Sequence, residues 1–198
     1  GGELELIEEL PGELLFLNDP TDLHRRTLAL ASHAPEALQP LARLPETTVA
    51  PGEARIAEKA RVLSSWVAPG ADVEGTVEGS VVFPGASVRR GAHVVNSVLM
   101  NGVVVGTGAT VQNVLALPFD PSELAMRQGA RNGATIGEWS AVGSRTSNAV
   151  NAAFPEQIRD GLTVIGMGVE LPAGLKVEGG CLVGPGAQAA ELRRMKTV

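Results

Sequence analysis

At 198 residues with 44% hydrophobic side chains, the chain can bury a real core as one domain, or one domain with a small appendage. Only 3% aromatic content, no tyrosine, 24 glycines and 13 prolines argue against a layered globular domain and for a narrow, repetitive core of small aliphatics. A formal charge of −6 without a long basic run excludes a nucleic-acid surface. A lone Cys181 and the lack of any apolar stretch of membrane-span or signal-peptide length exclude a disulfide framework and a membrane partner, so the cytoplasm is the expected compartment.

The opening Gly1-Gly2 carries no initiator methionine, which implies a chain cut from something longer or a tag remnant. Glu3-Leu4-Glu5-Leu6 and Leu14-Leu15-Phe16-Leu17 flank Pro11-Gly12-Glu13, the pattern of a hairpin. A helix follows, capped by Asp19 and started by Pro20, with Leu23, Leu28 and Ala31 as its apolar stripe. From Pro35 to Pro51 the chain is proline-punctuated and reads as a linker with a short helical segment over Glu36 to Leu41. These residues form a stub and connection over positions 1–50.

The next region, 51–190, is organised by a period of six. Ile56 and Val62, Val67 and Val73, and then Val82, Val88 and Val94 keep that spacing. It continues through Leu99, Val105 and Val111, Ile136 and Val142, and Ile165, Leu171, Val177 and Val183. Neither a helix nor an alternating strand has this period. A glycine stands three positions before the aliphatic at Gly70, Gly85, Gly91, Gly102, Gly108, Gly133, Gly168, Gly174 and Gly180, and Gly186 precedes Ala189 likewise. Such a glycine supplies a sharp corner between strands of two or three residues. Three sides close one triangular coil, and stacked coils bury each aliphatic for roughly 1.5–3 kcal/mol per side chain. The fold expected is mainly β: a left-handed parallel β-helix of hexapeptide repeats with a small hairpin-helix stub and two excursions. A valine-rich sandwich is the competing fold, but its strands run longer and alternate at period two.

The segment 79–85 aligns with 96–102, so one turn is a residue short of three hexapeptides. Residues 117–132 break the period, with Asp120 or Ser122 as a helix cap, and residues 144–161 break it again. In the second break Ala153 to Gly161 reads as a short helix started by proline and stopped by glycine. Residues 191–198 form a basic tail.

The run Phe154-Pro155-Glu156, Gly161-Leu162-Thr163-Val164-Ile165-Gly166 and Leu171-Pro172-Ala173-Gly174-Leu175-Lys176-Val177 resembles the final coils of ADP-glucose pyrophosphorylase (glucose-1-phosphate adenylyltransferase) and similar nucleotidyltransferases. Val103 to Ala109 is similar to earlier coils, and the resemblance covers the chain from about residue 50 onward, with a weaker match over 14–32. It implies the C-terminal domain of an enzyme that transfers an adenylyl group from ATP to glucose 1-phosphate with Mg2+ in glycogen synthesis. The Gly-rich nucleotide loop of that family has no counterpart here, so the resemblance implies a catalytic nucleotidyltransferase domain elsewhere in the parent chain. In the family's Trp-x-Asp-x-Gly-Thr pattern the metal-binding aspartate falls on Asn18, with Asp19 the neighbouring carboxylate. No cofactor and no catalytic residue is expected in this chain itself.

The resemblance also implies a sugar-phosphate effector held by basic side chains, for which Arg193, Arg194 and Lys196 in the tail and Arg89-Arg90 are the candidates. A solvated corner is the competing reading for Arg89 and Arg90. Open coil edges and valine-rich walls point to a homo-oligomer. The preferred function is thus oligomerisation and effector binding in a glucose-1-phosphate adenylyltransferase-like protein. The alternative is a hexapeptide acyltransferase using acyl-CoA, with the outward His93 as its base; a solvated surface histidine is the plainer reading. His24 and His33 are expected at ordinary exposure on or beside the helix, and Cys181 in the core. Trp66 and Trp139 are expected on the outer wall as markers of subunit contacts.

Overall fold

The computed structural model describes residues 19–38, 52–118 and 133–184. The expected hairpin, Asn18, the caps at Asp120 and Ser122, and the basic tail with Arg193, Arg194 and Lys196 lie outside the described residues.

Among the described residues eighteen short strands form three parallel sheets of six, and each sheet takes every third strand in chain order. That order is a parallel β-helix: the chain visits wall one, wall two and wall three in turn, then climbs one level. Wall one runs from Arg55–Ile56 to Glu170–Leu171, wall two from Arg61–Leu63 to Lys176–Val177, and wall three from Trp66–Val67 to Leu182–Val183.

Strand register stacks the periodic aliphatics on one another. In wall one Ile56, Val73, Val88, Val105, Ile136 and Leu171 form a single column. Wall two stacks Val62, Val77, Val94, Val111, Val142 and Val177. Wall three stacks Val67, Val82, Leu99, Ala116, Ile165 and Val183. Every residue of the six-residue series therefore points inward, and these columns make up most of one continuous core. Val77 and Ala116 complete columns that the series left open, because some levels repeat after 15 residues and others after 17.

The corner after wall one shows why glycine is needed. Gly108 has φ of 66°, a backbone region that a Cβ disfavours, and the Trp139 ring lies where that Cβ would go. The corner between walls two and three is built differently, from Ser64, Gly79, Asn96 and Asn113, all left-handed. Asparagine tolerates this region better than most residues. Just beyond them a serine ladder stitches the levels: Ser80 N–H donates to Ser65 Oγ at 3.0 Å, Ser97 N–H to Ser80 Oγ at 3.0 Å, and Val114 N–H to Ser97 Oγ at 3.1 Å.

Helix α1 (Pro20–His33) starts as expected: the Asp19 side chain accepts the Asp22 N–H at 2.7 Å and Pro20 occupies the first turn. A 3-10 turn over Pro35–Leu38 follows, and the rest of the segment expected to reach Leu41 lies outside the described residues. Leu23, Leu28, Leu30 and Ala31 pack with buried Leu38 on the outer surface of wall three, against Val81, Val98, Leu115 and Val164. Trp66 lies on the outer side of wall three, half-buried against this second core and edge-on to Phe83 with ring centroids 5.7 Å apart. Trp139 does stand on the outside, 69% exposed.

Both excursions leave at corners. The first departs between Ala116 in wall three and Thr135 in wall one, and the second between Gly143 in wall two and Thr163 in wall three. The expected helix over Ala153 to Gly161 is absent. Only one turn forms there, with the Phe154 carbonyl accepting from Gln157 N–H at 3.2 Å and Ile158 N–H at 3.0 Å. Asn151 Oδ1 takes the Ala153 and Phe154 N–H groups at 3.0 Å, and left-handed Asp160 and Gly161 then end the turn, so no second turn can propagate.

Candidate functional site: a basic groove beneath the helix

The second excursion folds back along the corner between walls two and three and meets the start of α1. Thr21 holds it: its N–H and Oγ both donate to the Gln157 carbonyl, at 3.3 and 2.8 Å, and its Oγ accepts the Arg159 N–H at 3.0 Å. Gly161 passes so close to the Ser147 carbonyl that a Cβ would collide with it. Asn96 Nδ2 donates to Asn113 Oδ1 at 3.2 Å, and Asn113 Nδ2 donates to the Asp160 carbonyl at 2.9 Å, extending the corner's polar ladder into the excursion.

Between helix, corner and excursion lies a groove of about 360 Å³. Arg25 from α1 and Arg145 and Arg159 from the excursion line it, with Ser147, Asn148 and Asp160. Asp22 Oδ1 fixes Arg25 at 2.6 Å, and Asp19 Oδ2 fixes Arg159 at 3.0 Å. Arg145 is held more loosely, its Nη1 lying 3.9 Å from Glu78 Oε1. A second hollow of about 320 Å³ adjoins the first and shares Asn96 and Arg145 with it.

His24 forms the groove's inner side and, contrary to the expected ordinary exposure, is buried. Its Nε2 lies 2.9 Å from the Asn96 carbonyl, which can only accept, so this nitrogen carries the proton. Burial pulls its pKa below the usual histidine value, and the carbonyl contact offsets that only in part. Cys181 is half-buried rather than a core residue, and burial followed by the nearby Glu178 charge raises its thiol pKa.

The residues singled out from sequence do not converge on this groove. Arg89 and Arg90 sit exposed at the corner after wall one, where Arg89 Nη1 is 3.7 Å from Asp72 Oδ2. His93 faces outward from wall two with 47% of its side chain exposed, and its Nε2 is 3.9 Å from Glu78 Oε2. The carboxylate is its charged neighbour among the described residues.

Mg2+, which the resemblance implies for the parent enzyme, does not fit the residues described. Among them no group of three His, Cys, Asp or Glu side chains could hold a metal ion. Asp19, the carboxylate next to Asn18, has both oxygens committed, Oδ1 to the helix cap and Oδ2 to Arg159. Nor is any described helix long and apolar enough to cross a membrane.

Residues 49–116 match the family described as GlmU-like, C-terminal hexapeptide. A glucose-1-phosphate adenylyltransferase of Bacillus cereus (strain Q1) is 40% identical over 60 residues, 30% of this chain and 16% of that protein. The same enzyme of Acetivibrio thermocellus is 29% identical over 130 residues, 66% of this chain and 27% of that protein. The chain resembles the C-terminal domain of ADP-glucose pyrophosphorylase-like proteins. It spans between about a sixth and about a quarter of the curated relatives it matches, 16% and 27% in these two. Arg25, Arg145 and Arg159 all lie outside the 49–116 match, whereas Asn96 and Asn113 of the same groove lie within it.

Sequence reasoning missed the three arginines because they are far apart in the chain and sit in no local motif. A partial signal existed: Arg145 and Arg159 bracket the excursion at 144–161, where a break in a strict repeat places polar side chains together.

Proposed function

We propose that this chain is the non-catalytic β-helix domain of a cytoplasmic glucose-1-phosphate adenylyltransferase-like protein, serving assembly and effector response in sugar-nucleotide and glycogen synthesis. The observation that carries the reading is the outer surface of wall three, where Val81, Val98, Leu115 and Val164 form an apolar column already roofed by α1. That column is filled by α1 and Leu38, and on this reading α1 is where the domain joins the rest of the parent protein, including its catalytic nucleotidyltransferase domain. Half-exposed Ile56 and Leu63 on the first level and Leu182 on the last supply apolar surface for homo-oligomer contacts.

Adenylyl transfer from ATP to glucose 1-phosphate with Mg2+ belongs, on this reading, to the parent protein and not to this chain. Two measurements test it. Sedimentation velocity on the full chain is expected to show a homo-oligomer at micromolar concentration, and a monomer throughout that range removes the assembly role. Incubation with ATP, glucose 1-phosphate and Mg2+ is expected to release no pyrophosphate, and steady turnover overturns the non-catalytic assignment.

A further inference from the structure

We propose that Trp139 is a stacking platform for a neutral pyranose ring, which makes the corner between walls one and two a binding site for an oligosaccharide. The inference goes beyond the reading above and does not rest on it.

Strain is the first observation. Among the described residues five other than glycine are left-handed, and four of them, Ser64, Asn96, Asn113 and Asp160, carry short polar side chains that suit this region. The fifth is Trp139, with φ of 57°. Backbone bonds set its place in the corner. Gly108 N–H donates to the Arg90 carbonyl at 3.1 Å, Trp139 N–H to the Thr107 carbonyl at 2.9 Å and Gly174 N–H to the Glu138 carbonyl at 2.8 Å. Trp139 thus stands in one column with Gly91, Gly108 and Gly174, all left-handed. A glycine at its level would turn the corner without strain, so the turn itself gives no reason for an indole.

The second observation is how the ring is held. Its six-membered half lies face-on across the position that a Cβ on Gly108 would take. One face therefore rests on glycine backbone, and at 69% exposure the residue leaves the other face to solvent. An indole seated in this way has little freedom left to lose on binding. Its negative face attracts the C–H groups on the flat side of a pyranose.

The surroundings decide between a sugar and another protein surface. Arg90, Thr107 and Glu138 each stand one residue before a member of the column, and Arg90 and Glu138 are exposed. Levels of a β-helix are about 4.8 Å apart, so the seat of the ring on Gly108 has Glu138 one level above and Arg90 one level below. A carboxylate that accepts and a guanidinium that donates flank the platform, and sugar hydroxyls can use both. The opposite charges leave the rim neutral, which suits an uncharged ligand. The other large exposed hydrophobic side chains, Ile56, Leu63, Val150, Phe154, Met167 and Leu182, lie on other parts of the fold. The corner therefore has one aromatic ring in polar surroundings, without the contiguous apolar patch of a protein interface.

The test reads Trp139 directly. Trp66→Phe leaves Trp139 as the one indole of the full chain, and its emission is followed on addition of maltoheptaose and of cellohexaose, two glucopyranose chains of different linkage. Expected is a saturable change with at least one of them, with a dissociation constant in the millimolar range that calorimetry on the parent chain reproduces. Glu138→Ala is expected to weaken binding about threefold or more. Trp139→Gly is expected to abolish binding in calorimetry and to raise the unfolding temperature, because the strain is relieved. No saturable change with either sugar, or binding that survives Trp139→Gly, overturns the site. A lower unfolding temperature for Trp139→Gly also overturns it, making the indole a structural cover for Gly108. An oligomer that Trp139→Gly turns into a monomer in sedimentation overturns it too, giving the corner to a second copy of the chain.

Discussion

Wall three and walls one and two share an inner surface and differ in everything outside it. All three stack a column of aliphatics toward the axis, yet the outward column of wall one reads Arg55, Asp72, Ser87, Val104, Thr135 and Glu170, and that of wall two includes Thr76, His93, Thr110 and Lys176. In wall three the outward positions are Trp66, Val81, Val98, Leu115, Val164 and Leu182. The hexapeptide repeat fixes what faces in. What faces out records whether a wall meets water or another part of the protein. Ion pairs on wall one, such as Arg55 to Asp72 at 3.1 Å and Arg89 to Asp72 at 3.7 Å, lie on an open surface and contribute little to stability. The apolar contacts of wall three hold the helix in place.

The largest effect expected from this contrast comes from placing a charge on each surface. Val98→Asp puts an unpaired carboxylate under α1 at a fully buried site and is expected to cost about 3 kcal/mol or more. Thr110→Asp on the open wall two is expected to stay within about 0.5 kcal/mol. Thermal unfolding of both variants decides it, and equal losses would erase the distinction between the walls. Leu38→Ala, which empties a fully buried site of the same seam, is expected to lower stability by about 2–5 kcal/mol in chemical denaturation.

The contrast explains what the sequence does and does not disclose. The inward columns are readable because one residue type recurs at a fixed spacing, from Ile56 through Val183. The outward column of wall three is half-readable: Val81-Val82, Val98-Leu99, Leu115-Ala116 and Val164-Ile165 double the aliphatic at every third hexapeptide, a signal of burial on both faces. Asp19 and Pro20 disclose the start of α1 through local capping chemistry. The groove has no such local origin. Arg25 and Arg159 meet only because Thr21 and Asp19 bind the excursion, and that contact joins residues more than a hundred positions apart. The turn at 154–158 misled because proline and glycine bracket it like a helix and Asn151 caps its first N–H groups, while left-handed Asp160 and Gly161 stop the chain after one turn.

Smaller changes at the margin of wall three sharpen the comparison. Ser97→Ala removes a buried hydroxyl that accepts the Val114 N–H at 3.1 Å and donates to the Val95 carbonyl at 2.7 Å. The Val114 N–H then lacks a bond in a buried corner while the Val95 carbonyl keeps the Asn113 N–H at 3.1 Å, at an expected cost of about 1–3 kcal/mol. Ser144, half-buried at the start of the excursion with a long 3.3 Å bond from the Thr146 N–H, serves as control: its alanine variant is expected to unfold within about 0.5 kcal/mol of the parent chain. Asp19→Ala, which removes both the helix cap and the Arg159 partner, is expected to cost about 1 kcal/mol and to speed hydrogen exchange at the first turn of α1.

The mildest and most specific effect is the pH dependence of the seam at His24. Burial holds its folded-state pKa below the ordinary value of 6.5, so the neutral ring is the form that packs against Asn96. Arg25 from the same helix and Arg145, Arg159 and Asp160 from the excursion face the same groove, and each arginine has a carboxylate beside it, Asp22, Glu78 and Asp19 respectively. The unfolded chain binds the proton first as pH falls, so the stability from this histidine is fully present above 6.5 and is lost progressively below it, until the folded-state pKa is passed. Unfolding temperatures measured downward from pH 7.5 are therefore expected to fall more steeply for the parent chain than for His24→Gln, which can keep a donor near Asn96 without titrating. A profile for His24→Gln that runs parallel to that of the parent chain would show that the helix is seated on wall three by apolar packing alone.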